Sequence, residues 1–334
     1  MNMNSSKLLF FMMLIISTMI TMSANNWFGM WIGLEINLMS FIPLIFKTND
    51  KSASQAMMIY FLTQTIGSMV LLFSLLINPI IFTSNLTINE SINILIMSST
   101  MIKMGAAPFH FWLPEVMANI KWMECMILMT WQKLGPLIVM SNITPTNWAL
   151  YTSVILSTAV GSIKGLNQSS IRKIMAYSSI NHLGWMMMFM TMQTSWYKYL
   201  LIYSIMVIMI CLLMNKMNVF FINQLMSNSP SMMEKYTYVI TMLSMGGLPP
   251  FLGFLPKWMV IQSMINSKLF MIMLIMMLLS LLTLFYYTRM ISSFILSYST
   301  INKWTNYHKP NNMMLFSFIT INFTLPVFMS TGFF

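Results

Sequence analysis

The sequence predicts an all-α polytopic membrane protein of about eleven transmembrane helices, organised as two inverted repeats that each contain a broken helix. Three observations carry this reading. Hydrophobic residues make up 57% of the chain and charged ones only 7%, with a mean hydropathy of +0.74, whereas soluble domains devote roughly a quarter of their residues to charge. Apolar runs of roughly 20 residues, the length that crosses the hydrocarbon core, recur from turn signal to turn signal. The basic residues then fall almost entirely on alternate connections.

In chain order the runs lie at about 7–24, opened by Lys7; 27–46, followed by Lys47 and Lys51; 54–77; and 90–109, interrupted by Pro108. They continue at 121–141, opened by Lys121; 147–164, closed by Lys164; 171–193, with Arg172 and Lys173 in its first turn; and 198–220, from Lys198 past Lys216. The last three are 236–262, preceded by Lys235 and interrupted by proline near 250; 268–290, between Lys268 and Arg289; and 313–330, preceded by Lys303 and Lys309. With the N-terminus inside, the opposite side holds only Lys198 and Lys268, while Lys103, Lys133 and Lys257 fall within spans. A wrong helix count would scramble that asymmetry. The N-terminus is therefore expected inside and the C-terminus outside.

The stretch MGAAPFHFWLP at 104–114 echoes MGGLPPFLGFLP at 245–256. Both have Met-Gly, a proline three residues after that glycine, and a later Leu-Pro. They lie five spans apart, so the copies cross in opposite directions, as inverted repeats do, and broken helices at matching places point to an ion site. This divides a single domain, 1–334, into a first repeat at about 7–141, a second at about 147–298 and a C-terminal helix at about 313–330.

An ionisable group near mid-span costs a few kcal/mol to insert and is a functional site by default. Glu35, Lys103 and Lys133 are such groups; Lys257 follows the broken part of its span. Glu35 is about ten positions from water-facing residues, too far to snorkel at roughly 1.5 Å per residue. The bland alternative is that these charges only pack helices, or that Lys257 sits at an interface. His182 lies mid-span among Ser178, Ser179, Asn181 and Gly184, where a water-lined site and a histidine satisfied by a neighbouring helix are equally open. His110, past the break, suits local structure, and Glu115 and Glu124 read as solvated carboxylates.

Buried lysines suit proton transfer because desolvation favours the neutral amine and a nearby carboxylate favours the charged one. Moving the partner toggles the proton. Linked by water and by polar side chains such as Gln64, Ser98, Thr100 and Gln132, such groups form a relay, and the Gly and Pro breaks let backbone line a wet cavity.

Other chemistries lack their motifs. The net charge of +11 is scattered rather than clustered on one face, which argues against a nucleic-acid partner. Cys125 and Cys211 stand singly, with no C-x-x-C or ligand spacing, so no disulfide, haem, iron-sulfur cluster or metal is expected. Without a dinucleotide fingerprint or P-loop, the chain is expected to carry no cofactor and no redox chemistry of its own.

The stretches GLEINLMSFIPL, KMGAAPFHFWLPEV, TWQKLGPL, RKIMAYSSINHLGW and GGLPPFLGFLPKW run in order from residue 33 to 258. Together they resemble the subunit 2 family of mitochondrial NADH:ubiquinone oxidoreductase, respiratory complex I, which is similar to cation/proton antiporter subunits. The 44 methionines and two arginines also fit an AT-rich genome with an extra methionine codon, as in animal mitochondria.

The resemblance implies a proton-translocating membrane-arm subunit of the mitochondrial inner membrane. Its N-terminus is on the matrix side and its C-terminus on the intermembrane-space side. NADH, FMN, iron-sulfur clusters and ubiquinone belong to partner subunits; the direct partners are other membrane-arm and accessory subunits and lipid. Glu35 matches the intramembrane glutamate that pairs with the lysine of the first broken helix, Lys103. Lys133 matches the central-axis lysine, Lys257 the lysine of the second broken helix, and His182 the histidine between the halves. Eleven spans resemble the shortened animal form, without three N-terminal helices of bacterial relatives. An independent cation/proton antiporter and a purely structural membrane subunit are the alternatives.

Overall fold

A computed structural model describes residues 5–46, 51–81, 86–143, 147–192, 194–227, 232–298 and 312–332. Lys47, Lys303 and Lys309 of the charge pattern lie outside them. The regular elements among the described residues are all helices, apart from an isolated bridge between Ser170 and Phe221. They divide into two compact units, Met1–Ser153 and Val154–Phe334.

The first unit contains α1 (Ser5–Ser23), α2 (Trp27–Ile45), α3 (Lys51–Ile81), α4 (Leu86–Met104), α5 (Trp112–Asn119), α6 (Trp122–Met129) and α7 (Leu134–Ser141). A 3-10 turn, Trp131–Lys133, joins the last two, and α8 (Asn147–Leu166) runs across the boundary between the units. The second contains α9 (Ile171–Thr191), α10 (Trp196–Met217), α11 (Ile222–Ser227), α12 (Met232–Gly246), α13 (Phe254–Asn266), α14 (Phe270–Tyr298) and α15 (Asn312–Gly332).

Six described helices are long and apolar enough to cross a membrane: α1, α2, α3 over Lys51–Ile77, α8 over Trp148–Leu166, α10, and α14 over Phe270–Ser292. Their exposed and buried faces are reversed relative to a soluble helix. On α3 the exposed side chains are Met58, Leu62, Ile66, Met69, Phe73 and Leu76, whereas Tyr60, Gln64, Ser68 and Ser74 are buried. Exposed apolar faces of that size mark contact with lipid or protein rather than water. Inward hydroxyls such as Ser74, Ser99 and Thr100 bond carbonyls three residues back in their own helix, so they need no external partner. The helix α9 falls short on hydropathy because Arg172, Lys173, Asn181 and His182 lie on it, yet it is buried almost throughout.

Two helices stop at glycines with positive φ. Gly105, at φ 73, ends α4, and Gly247, at φ 80, follows α12. Only glycine adopts this conformation without strain, and it closes each helix with the same pair of bonds. The Gly105 and Ala106 amides both donate to the Met101 carbonyl; those of Gly247 and Leu248 both donate to Leu243. Setting Gly105 on Gly247 places Pro108 on Pro250 and Leu113-Pro114 on Leu255-Pro256. The sequence echo, read from Gly246, was therefore one residue out of register at its first glycine.

A third interruption was not expected. The run at 121–141 divides into α6, the 3-10 turn and α7, because Pro136 has no amide to donate to the Gln132 carbonyl and its ring crowds that position. The break appears one turn before the proline. Glu124 also departs from the solvated carboxylate expected of it. It is buried, and accepts the Lys121 amide at 3.0 Å as the cap of α6.

Candidate functional site

In the first unit, Glu35 sits on α2 and Lys103 in the last turn of α4, where the Gly105 stop leaves carbonyls without helical partners. Two side chains meet those carbonyls: Trp112 Nε1 donates to Ile102 O at 3.0 Å and Gln64 Nε2 to Lys103 O at 3.1 Å. The break is thus fixed in place. Lys103 Nζ then faces Glu35 Oε1 at 3.7 Å, with its side chain 3% exposed and that of Glu35 22%. This is ion-pair range but too long for a direct hydrogen bond, and Glu35 Oε1 makes none. The lysine stem passes Gly67 of α3, where a Cβ would lie 3.0 Å from Lys103 Cγ.

Lys133 is buried at the end of the 3-10 turn. Both lysines line one cavity of about 20 Å³, together with Asn37, Tyr60, Gln64 and Gln132. A space of that size with several polar walls is enough for one water. Gln132 organises the wall: its Nε2 donates to Asn37 Oδ1 at 2.9 Å, and its Oε1 accepts from the Tyr60 hydroxyl at 3.3 Å. Gln64 and Gln132 were expected as relay side chains and both reach the cavity. The Ser98 and Thr100 hydroxyls instead donate to the Leu95 and Met97 carbonyls of their own helix. Asn37, Tyr60 and Gly67 carried no signal in the sequence beyond being polar or small.

The second unit holds the other two predicted residues. Lys257, buried near the start of α13, donates from Nζ to Gly246 O at 2.8 Å. Its partner is a carbonyl at the end of α12, where the helix dipole is negative. Gly247 leaves room for it, since a Cβ there would lie 2.8 Å from Lys257 Nζ. His182, buried in α9, has Nδ1 2.9 Å from the Tyr199 hydroxyl of α10. The structure thus joins Glu35 with Lys103, and Lys103 with Lys133 across the cavity, while Lys257 and His182 each have partners of their own. His110 has Nδ1 3.1 Å from Pro108 O and its ring against Phe111, contacts that belong to the break.

Comparison with known proteins follows the same lines. Residues 24–283 match the family model described as NADH:quinone oxidoreductase/Mrp antiporter, TM. The chain is 45% identical over 326 residues to NADH-ubiquinone oxidoreductase chain 2 of Anopheles gambiae, covering 94% of each protein. It is 42% identical over 314 residues to the protein of the same name from Locusta migratoria, covering 93% of this chain and 92% of that one. Its fold is similar to a chain of respiratory complex I from Thermus thermophilus, at TM-score 0.84 and 18% identity, over 98% of this chain and 78% of that one. A chain of the Mrp complex from Dietzia sp. gives TM-score 0.76 at 15% identity, over 85% of this chain and 59% of that one. The chain belongs to the NADH-ubiquinone oxidoreductase chain 2 family, within the NADH:quinone oxidoreductase and Mrp antiporter membrane proteins.

Proposed function

We propose that this chain is a proton-translocating membrane-arm subunit of NADH:ubiquinone oxidoreductase. Electron transfer from NADH to ubiquinone takes place in partner subunits, which hold the FMN and iron-sulfur clusters, and protons move through a relay of Glu35, Lys103, Lys133, His182 and Lys257. The observation that carries the relay is the shared cavity: Lys103, loosely paired with Glu35 at 3.7 Å, faces the same small polar space as buried Lys133.

The chemistry follows from solvation. With Glu35 ionised nearby, Lys103 holds its proton; when that carboxylate is neutralised or withdrawn, burial favours the neutral amine. The released proton crosses the cavity by way of a water or the Tyr60 hydroxyl to Lys133, while Gln132 and Asn37 hold the tyrosine and the wall in register. In the second unit, the Gly246 carbonyl at the end of α12 accepts the Lys257 amine.

The surrounding reading is an eleven-span inner-membrane protein with the N-terminus in the matrix and the C-terminus in the intermembrane space. Its two repeats lie at about 7–141 and 147–298. Other membrane-arm and accessory subunits and lipid cover its exposed apolar faces. Native electrophoresis with in-gel NADH dehydrogenase staining tests the assignment. Migration only within the NADH-oxidising complex is the expected result; an isolated, active cation/proton antiporter would overturn it.

A further inference from the structure

Within the second unit, His182 of α9 meets two tyrosines of α10. Tyr199 and Tyr203 are four residues apart, so they project from the same face of that helix, one turn from each other. The Tyr199 hydroxyl lies 2.9 Å from His182 Nδ1, and the Tyr203 ring centroid lies 4.9 Å from that of the imidazole, with the planes at 44°. The Tyr199 ring is farther away, at 6.1 Å, so this tyrosine engages the histidine through its hydroxyl. Both tyrosines are fully buried, and His182 is buried with them. Among the described residues, His182 is the only hydrogen-bond partner of the Tyr199 hydroxyl.

A tyrosine hydroxyl has one donor and two acceptor lone pairs, whereas a neutral imidazole has one nitrogen of each kind. The Tyr199 hydroxyl can therefore stay bonded to Nδ1 in either state of that nitrogen, donating when Nδ1 is bare and accepting when it carries hydrogen. Phenylalanine would fill nearly the same volume without offering Nδ1 any partner, so packing alone does not favour tyrosine there. The bond made by one ring nitrogen sets the role of the other. We infer that Tyr199 is a positioning residue for His182: it occupies Nδ1, holds the ring in place and leaves Nε2 as the nitrogen that exchanges protons. On uptake, Nδ1–H donates to the Tyr199 oxygen while the Nε2 lone pair takes the proton, giving an imidazolium. Release breaks that same Nε2–H bond and returns the neutral ring, still bonded to Tyr199 through Nδ1. His182 thus gains and loses its proton at one nitrogen, and Tyr199 passes none on.

This inference rests on the proton-translocating reading, with His182 in the relay, and its test separates the two. Tyr199→Phe, His182→Asn and the double variant are introduced into the assembled complex, beside Lys103→Ala and the exposed-site control Tyr236→Phe. Asparagine keeps a polar atom near the Nδ1 position and has nothing at Nε2. The readout is the initial rate of proton uptake in NADH-driven inner-membrane vesicles, per assembled complex. The expected result is a several-fold loss in Tyr199→Phe that stays smaller than the loss in His182→Asn. The double variant pumps as His182→Asn does, NADH oxidation by an artificial acceptor is unchanged throughout, and the control is normal. Normal pumping in Tyr199→Phe, when His182→Asn is impaired, overturns the assignment alone. So does a loss as deep as that of His182→Asn, which would make Tyr199 itself a proton carrier, and so does a double variant worse than His182→Asn, which would show Tyr199 acting independently of the histidine. Normal pumping in His182→Asn removes the histidine from the relay and the inference with it; normal pumping in Lys103→Ala as well overturns the underlying reading. If Tyr199→Phe fails to assemble, Tyr199→Met, which lacks the hydroxyl but adapts to the space, decides by the same readout: partial loss supports the assignment and unchanged pumping overturns it.

Discussion

Gly67→Ala adds one methyl group beside the proton site without altering any charge. Its Cβ would lie 3.0 Å from Lys103 Cγ, 3.3 Å from Ile102 Cγ2 and 3.4 Å from Ser99 O, so the lysine stem must yield by a few tenths of an ångström. Overfilling a packed interior costs about 1–3 kcal/mol, whereas replacing glycine by alanine inside a helix returns about 1 kcal/mol. The net cost of about 0–2 kcal/mol leaves the complex assembled. Geometry is less forgiving, because misplacing a reacting group by about 1 Å costs on the order of 10²-fold, so a shift of a few tenths corresponds to about fourfold in pumping rate. The assay is the initial rate of proton uptake in NADH-driven vesicles, normalised to assembled complex on native gels. Full pumping by the fully assembled variant would refute the claim that the position of Lys103 matters.

Three further outcomes follow from the same geometry. Gly247→Ala forces a left-handed residue to carry a Cβ, costing about 1–2 kcal/mol, and crowds Lys257 Nζ at 2.8 Å; the expected result is a lower thermal inactivation temperature for the complex together with weaker pumping. Gln132→Leu removes the partner of both Asn37 and Tyr60, which costs about 1–3 kcal/mol for the groups left unmet; thermal stability and stoichiometry should both fall, and an unchanged melting profile would contradict the network. Pro136→Ala restores the missing amide and lets the 3-10 turn re-form as α-helix, so stability should hold or rise while pumping falls as Lys133 is re-aimed, a divergence read by measuring both on one preparation.

What could be read directly was the ionic part of the site and the two glycine breaks. A charge in an apolar run, or a Met-Gly followed by proline, is local and costly enough to be visible without a partner. Glu35, Lys103 and Gly105 belong to that class. Asn37 and Tyr60 do not, because uncharged polar residues are common in such helices and their meeting with Gln132 depends on packing between segments 72 to 95 positions apart. Gly67 is an ordinary helical glycine until Lys103 is placed beside it. The turn at Trp131–Lys133 was missed because its cause, Pro136, acts on a carbonyl one turn upstream. Glu124 was misread because a cap at the third helical position looks, in sequence, like any surface carboxylate. Tyr199 gave no signal, since tyrosine burial depends on which face of α10 turns inward.

The central claim is that Lys103 carries the proton that Glu35 controls. The measurement that tests it most directly is the number of protons pumped per electron by Lys103→Ala in NADH-driven vesicles, with assembly verified on the same membranes. The account predicts a reduced stoichiometry at normal levels of complex; an unchanged stoichiometry would contradict it.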